Sequence, residues 1–280
     1  AEGRARILSA TVSRSAQRWF VSFTVEVDRD LPDRHPRPGT AVGVDVGLKA
    51  LVTAVDHRGR VIQVPGPRPL RTALRRLRRA SRAHSRKQKG SANRQKSARR
   101  LARLHARIAN CRLDALHRAT TRLASRYETV VVEDLNVAGM LGNRRLARSL
   151  SDCAFGTLRW QLSYKTSWRG GQLIVADRFF PSSKTCSACG MVKAKLSLAE
   201  RVFTCEGCGL VIDRDVNAAR NLLVLAVSGT ERVNACGAEV RPSVAGHTAM
   251  KQEPGAAQAG KTGTATGQLV AVGRVVTHDH

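Results

Sequence analysis

Two Cys-x-x-Cys pairs, Cys186 with Cys189 and Cys205 with Cys208, stand fifteen residues apart, and Asp213 and Asp215 follow at once in VIDRDVNAARN. Four thiolates at this spacing suit one soft, tetrahedral Zn²⁺, because each knuckle aims two sulfurs at one point and Gly190, Gly207 and Gly209 supply the turns. Two disulfides are the alternative, and they would need an oxidising compartment to which nothing in the sequence points. The carboxylates prefer a hard cation such as Mg²⁺. Asp213 and Asp215 also head an apolar-periodic stretch (Ala218, Ala219, Leu222, Leu223, Ala226), where an acid often serves only as a helix cap or a complement to the helix dipole. Metal chemistry there requires carboxylate partners from elsewhere. Asp45 is an acid inside the apolar run AVGVDVG. A buried carboxylate is costly unless paired or metal-bound, whereas one on a solvated strand face costs little. Glu133 and Asp134 end the run TVVV, at the carboxyl end of a strand, where open α/β sheets place their ligands. Together these residues read as a structural zinc ribbon delivering an acid to a magnesium site.

The elements that must position them follow from patterning. Residues 6–27 alternate apolar and polar positions around a Ser13-Arg14-Ser15-Ala16 turn, predicting a hairpin that completes a sheet begun elsewhere. Pro32, Pro36, Pro38 and Gly39 make a linker, and residues 41–64 predict three short strands. Residues 68–107 hold sixteen Lys or Arg and no acid. Helically spaced leucines and a break at Gly90-Ser91-Ala92-Asn93 make this stretch a basic helical hairpin, followed by further helix to Arg126. An acid-free run of this density fits a phosphate backbone, with Arg71, Arg75, Arg78, Arg79, Arg82, Arg86, Lys87, Lys89, Lys96, Arg99, Arg100 and Arg103 as its contacts. Residues 151–171 predict one helix, capped by Ser151 or Asp152 and ended by Gly170-Gly171. A buried strand in GQLIVADRFF leads into the ribbon. Residues 228–280 read as a disordered tail.

The formal net charge of +27 calls for a polyanionic partner, most simply nucleic acid, and 4% aromatic residues argue against base stacking as the main source of affinity. No apolar run is long enough to span a bilayer, and no membrane partner is expected. Cys111, Cys153 and Cys236 read as buried or inert thiols in a reducing, prokaryotic cytoplasm, with the chain at the nucleoid. The first residue, Ala1, suggests a fragment or a processed start.

VGVDVGLKALV, VVVEDLNVAGM, FFPSSKTCSACG and CEGCGLVIDRDVNAARNL, in this order from about Ala41 to Leu225, resemble the nuclease half of TnpB proteins, the insertion-sequence-encoded relatives of type V CRISPR effectors. The resemblance implies an α/β, RNase H-like (RuvC-like) mixed sheet with flanking helices, a basic helical insertion and an inserted zinc ribbon. It also implies RNA-guided DNA cleavage, with DNA and a guide RNA as partners. By this likeness Asp45, Glu133 and Asp215 are the catalytic acids, Asp45 bridging two Mg²⁺ and the other two each completing one, with Asp134 and Asp213 ranked below them. The expected division is a remnant of a preceding β-rich domain at 1–30, a nuclease core at 41–180 with its insertion at 68–126, the ribbon at 181–212 and a final core helix at 213–227. Family members carry a longer N-terminal region, so most of it is expected to be missing.

Two other functions compete with the nuclease. One is a catalytically silent nucleic-acid-binding remnant or repressor. The other is a strand-transferring transposase, whose three-acid form differs from a hydrolase only in the attacking hydroxyl. A tyrosine transposase is disfavoured, since only Tyr127 and Tyr164 exist and the single His-x-His, His278 with His280, has Asp279 at its centre.

Overall fold

Strands β1 (Ala5–Ser15) and β2 (Arg18–Val27) form an antiparallel hairpin. Its turn is Ala16-Gln17, both at positive φ (49° and 73°), rather than the expected Ser13–Ala16. A two-residue loop with both central residues left-handed matches the strands' twist, so register outweighs the local preference for serine. The computed structural model describes residues 5–27, 31–197, 199–227 and 273–276.

The chain divides into two compact units, one of residues 1–30, 79–106 and 240–280, the other of 31–78 and 107–239. The second holds a five-stranded sheet. β3 (Ala41–Asp45), β4 (Ala50–Asp56) and β5 (Val61–Pro65) are the three strands expected from residues 41–64. Helices α1 (Pro69–Ser85) and α2 (Ala92–Arg126) form the basic hairpin, with α2 already helical at Ala92 and Asn93. Arg94 closes the bend by donating to the carbonyls of Lys87 (2.9 Å) and His84 (3.4 Å).

β6 (Thr129–Glu133) follows, then the short helices α3 (Val137–Leu141) and α4 (Ala147–Cys153), α5 (Phe155–Ser167) and β7 (Gln172–Ala176). The single helix expected at 151–171 is thus two, broken at Ala154, whose φ of 46° ends α4. Asp152 caps neither. Buried in the last turn of α4, its carboxylate accepts from Leu70 N (3.0 Å) and Arg71 N (3.1 Å), capping α1 instead. At the α2–α5 interface the buried Lys165 donates to Thr120 and Thr121 hydroxyls, both at 2.8 Å, and to the His117 carbonyl at 3.0 Å; burial, then the nearby Arg169, holds it down to about 8.

The sheet order is β5-β4-β3-β6-β7, with β3, β6 and β7 parallel and β4 and β5 antiparallel. This is the RNase H-like arrangement. The three parallel strands sit among buried valines, the continuous apolar runs that a sheet covered by helices needs. Beyond β7, β8 (Val202–Thr204) and β9 (Val211–Asp213) make the two-stranded ribbon, and α6 (Arg214–Val227) returns to the sheet. Of the tail, β10 (Gly273–Val276) pairs antiparallel with β2. Otherwise residues 228–280, including Cys236 and the terminal His-Asp-His, lie outside the described residues. Cys153 is buried as expected; Cys111 is exposed, on the outer face of α2. Among the described residues no helix is long and apolar enough to cross a membrane.

Candidate active site and metal centre

β3 and β6 are parallel, with Val44 paired to Val132, so Asp45 and Glu133, one residue on in each strand, leave the sheet at the same edge. The third acid arrives with α6, which lies directly on β3. A Cβ at Gly43 would stand 2.1 Å from the Ala219 carbonyl oxygen and 2.5 Å from Leu223 N, so only glycine allows this approach.

Asp213 and Asp215 have different jobs at the start of α6. The Asp213 carboxylate accepts from the N–H groups of Asp215 (3.0 Å) and Val216 (3.2 Å), a helix cap. Capping thus accounts for Asp213, and Asp215 in the first turn keeps its carboxylate for the edge, 3.3 Å from the Arg214 guanidinium. Lys49 stands 3.9 Å from Asp213.

The electrostatics separate these acids. Burial, then the charges of Glu133 and Asp215, push Asp45 well above the usual carboxylate range; Arg214 pulls the other way and Asp213 adds to the rise. Burial also raises Glu133, against the Ser182 hydroxyl that donates to it. Asp134 behaves oppositely. Burial would raise it, but Arg178 and Arg159 hold it below the usual range, with Arg178 Nη2 at 2.8 Å. Asp134 is engaged in ion pairs, whereas Asp45 lies among like charges.

The four cysteines form a second centre. Their sulfurs all lie within 4.8 Å of one another, with Cys186 to Cys208 at 3.6 Å and Cys189 to Cys205 at 3.5 Å. Among the described residues this is the one such group of three or more metal-ligating side chains. The N–H of Cys208, aided by that of Gly207 and against burial, draws the Cys205 thiol down to about 6. A tetrahedral donor set of sulfurs at this separation is a metal site for a soft cation.

The two centres are joined by contacts that the sequence motifs did not reveal. Buried Asn217 of α6 donates to the Thr185 carbonyl (2.7 Å) and accepts from Ser187 N (3.0 Å). Asn221, one turn on, donates to the carbonyls of Ser182 (2.7 Å) and Thr185 (2.6 Å). Ser182 in turn bonds Glu133. A polar chain therefore runs from β6 through the ribbon's first loop to the helix carrying Asp215. The one available signal was a pair of asparagines four residues apart inside an apolar helix face.

Of the twelve basic residues expected to touch phosphates, eleven are exposed and Lys87 is half-buried; α1 buries none of its residues.

Residues 22–144 match the family model described as "Probable transposase", and residues 155–222 match "Cas12f1-like, TNB domain". A Streptomyces pristinaespiralis protein named "Putative RNA-guided DNA endonuclease" is 46% identical over 257 residues, 90% of this chain and 61% of that protein. Over most of its own length the chain is thus similar to proteins of this kind. A second relative, "Putative RNA-guided DNA endonuclease InsQ" of Escherichia coli strain K12, is 34% identical over 263 residues, 89% of this chain and 62% of that protein. The chain thus spans about three fifths of the length of these relatives. The fold also matches a solved Cas12f1-sgRNA-target DNA complex, with a TM-score of 0.50 at 18% identity, covering 76% of this chain and 55% of that one.

Proposed function

We propose that the chain is the nuclease portion of a TnpB-type, RNA-guided DNA endonuclease, hydrolysing phosphodiesters at the edge where Asp45, Glu133 and Asp215 meet. One observation carries the reading: acids from β3, β6 and α6 gather at one edge, where burial and then the charges of Glu133 and Asp215 raise Asp45 well above the usual carboxylate range, with Arg214 opposing the rise. Such a cluster is stable as ionised carboxylates once a hard cation shares it, and the all-oxygen donor set fits Mg²⁺. The chemistry Mg²⁺ supplies when bound is activation of the attacking water and stabilisation of the departing 3′ oxygen. In this reading the three carboxylates hold the metal, Ser182 aims Glu133, and Asp213 takes the helix cap so that Asp215 need not. Zn²⁺ in the cysteine quartet holds the ribbon against α6.

DNA and a guide RNA are the partners that this reading assigns, consistent with the names of the relatives. The basic hairpin holds the heteroduplex or the displaced strand by its backbone, and pairing with the guide supplies sequence choice. With six to ten phosphate contacts, affinity falls about 10³- to 10⁵-fold between 50 and 200 mM salt. Residues 41–180 and 213–227 are the nuclease core in this reading, interrupted by the insertion at 68–126 and the ribbon at 181–212, and the chain works at the nucleoid of a prokaryotic cytoplasm.

The test is cleavage of end-labelled DNA in Mg²⁺, with and without co-purifying RNA, beside an Asp45→Ala control. Product from the wild-type chain alone supports the reading. Equal product from both removes Asp45 from the site. No product from either, with salt-sensitive binding retained, leaves a nucleic-acid-binding protein without catalysis.

A further inference from the structure

The most exposed large hydrophobic side chain among the described residues is Phe179, at 85% exposure, in a turn whose flanking residues Arg178 and Ser182 bond Asp134 and Glu133. Single exposed hydrophobics are ordinary on protein surfaces. Phe179 differs because its backbone is held on both sides. Its N–H donates to Asp177 Oδ1 at 2.7 Å, and the next N–H, of Phe180, donates to the Asp177 carbonyl at 3.0 Å. The Phe180 ring packs against the core of Val131, Ile174, Ala176 and Leu222, so consecutive rings are sent in opposite directions, one into the core and one into solvent. On the amino-terminal side Arg178 is clamped to Asp134, the neighbour of Glu133. On the carboxyl-terminal side Ser182 is bonded to Glu133 itself. A hydrogen-bonded turn tied to Asp134 and Glu133 on either side therefore presents one bare aromatic ring, in a chain with only 4% aromatic residues.

We propose that Phe179 is a stacking platform for an unpaired nucleobase, seating the strand to be cut at the carboxylate edge. This deepens the nuclease reading and rests on it. Phenylalanine has no hydrogen-bonding group, so the contact reads only a π-face, which every base offers. Such a contact is indifferent to sequence, as suits an enzyme whose sequence choice lies in guide pairing. In a duplex those faces are already occupied by neighbouring bases, so the platform selects single strands.

The test is the Phe179→Trp chain titrated without added divalent metal, its emission read against the wild-type background of three tryptophans. A short oligo(dT) strand is expected to quench the new emission with saturation. Heparin, a polyanion without bases, and a blunt duplex are expected to leave it unchanged. Phe179→Ala should weaken oligo(dT) binding about five- to a hundredfold, the loss of one stacked base, and Phe179→Tyr should restore it. Unchanged emission with oligo(dT), together with unchanged affinity in Phe179→Ala, overturns the proposal. So does a concentration-dependent emission shift without nucleic acid that tracks dimer formation, which would make the ring a self-association contact. Because no cleavage is involved, quenching by oligo(dT) in a chain that never cuts DNA would sink the nuclease reading alone, and cleavage without quenching would sink the stacking platform alone.

Discussion

The central sheet carries a buried or half-buried aspartate at each of two opposite edges, and the two are handled in contrary ways. Asp45 ends β3, and Asp56 ends the antiparallel β4, opposite Val42 at the far end of β3. Asp56 is fully buried yet accepts from Arg58 N (3.0 Å), Arg60 N (2.9 Å), Arg60 Nε (2.7 Å) and the Tyr127 hydroxyl (3.2 Å). Burial would raise it, but the Arg60 and Arg58 donors bring it below the usual carboxylate range. Asp45 is pushed the other way, by burial and then by its acidic neighbours. The first edge is satisfied by the protein alone. At the second, Arg214 pairs with Asp215 and Ser182 donates to Glu133, yet Asp45 stays raised, which costs stability in the metal-free chain.

This contrast can be broken most easily at Asp56. Replacing it by Ala orphans the buried Tyr127 hydroxyl and two amide N–H groups, and we expect a loss of about 2–4 kcal/mol in denaturant unfolding with metal binding at the other edge preserved. Comparable stability in the variant would mean that water replaces the carboxylate. Next in size is Ser182→Ala, which removes the hydroxyl aiming Glu133. Mg²⁺ affinity measured by calorimetry is expected to fall roughly 10- to 100-fold, with Ser182→Thr restoring it and the zinc content unchanged. Unaltered affinity would reduce Ser182 to a packing residue.

The smallest and most diagnostic effect is the dependence of metal-free stability on pH, where the two edges have opposite signs. Asp56, depressed in the folded chain, contributes stability above its unfolded value of about 3.9 that is lost as pH falls through its folded value. Asp45, raised in the folded chain, holds its proton while the unfolded chain has released it, so stability falls as pH rises from about 3.9 through the raised folded value. Asp45→Asn should flatten the second limb and Asp56→Asn the first. If Asp45→Asn leaves the second limb untouched, Asp45 is not raised in the folded chain.

Much of this contrast was legible in the linear chain, and the misses have physical causes. The cysteine quartet needs only two knuckles within twenty-three residues, so spacing alone fixed it. Asp45 and Glu133 stood out because an acid at the end of an apolar strand has few inexpensive explanations. The Ser13–Ala16 turn failed because strand register, set by cross-strand packing, placed the reversal two residues later. Asp152 was read as a local cap because capping is usually local; its true partners are Leu70 and Arg71, about eighty residues away. Cys111 was read as buried or inert, and the first alternative fails, because the outer face of a long helix is not recognisable from one thiol.

The sequence by itself determined the elements that obey short-range rules: three strands from a period of two, basic helices from leucine spacing and a cysteine quartet from two knuckles, and a charge of +27 led it to expect a polyanionic partner. The tertiary structure alone decided which of the five acids Asp45, Glu133, Asp134, Asp213 and Asp215 the protein engages itself, Asp134 in ion pairs and Asp213 in a helix cap. That decision rests on contacts far apart in the chain: Ala219 against the bare Cα of Gly43, Arg159 and Arg178 on Asp134, and Ser182 on Glu133. A carboxylate's role follows from which donors or charges reach it, and only the folded chain brings them within hydrogen-bonding range.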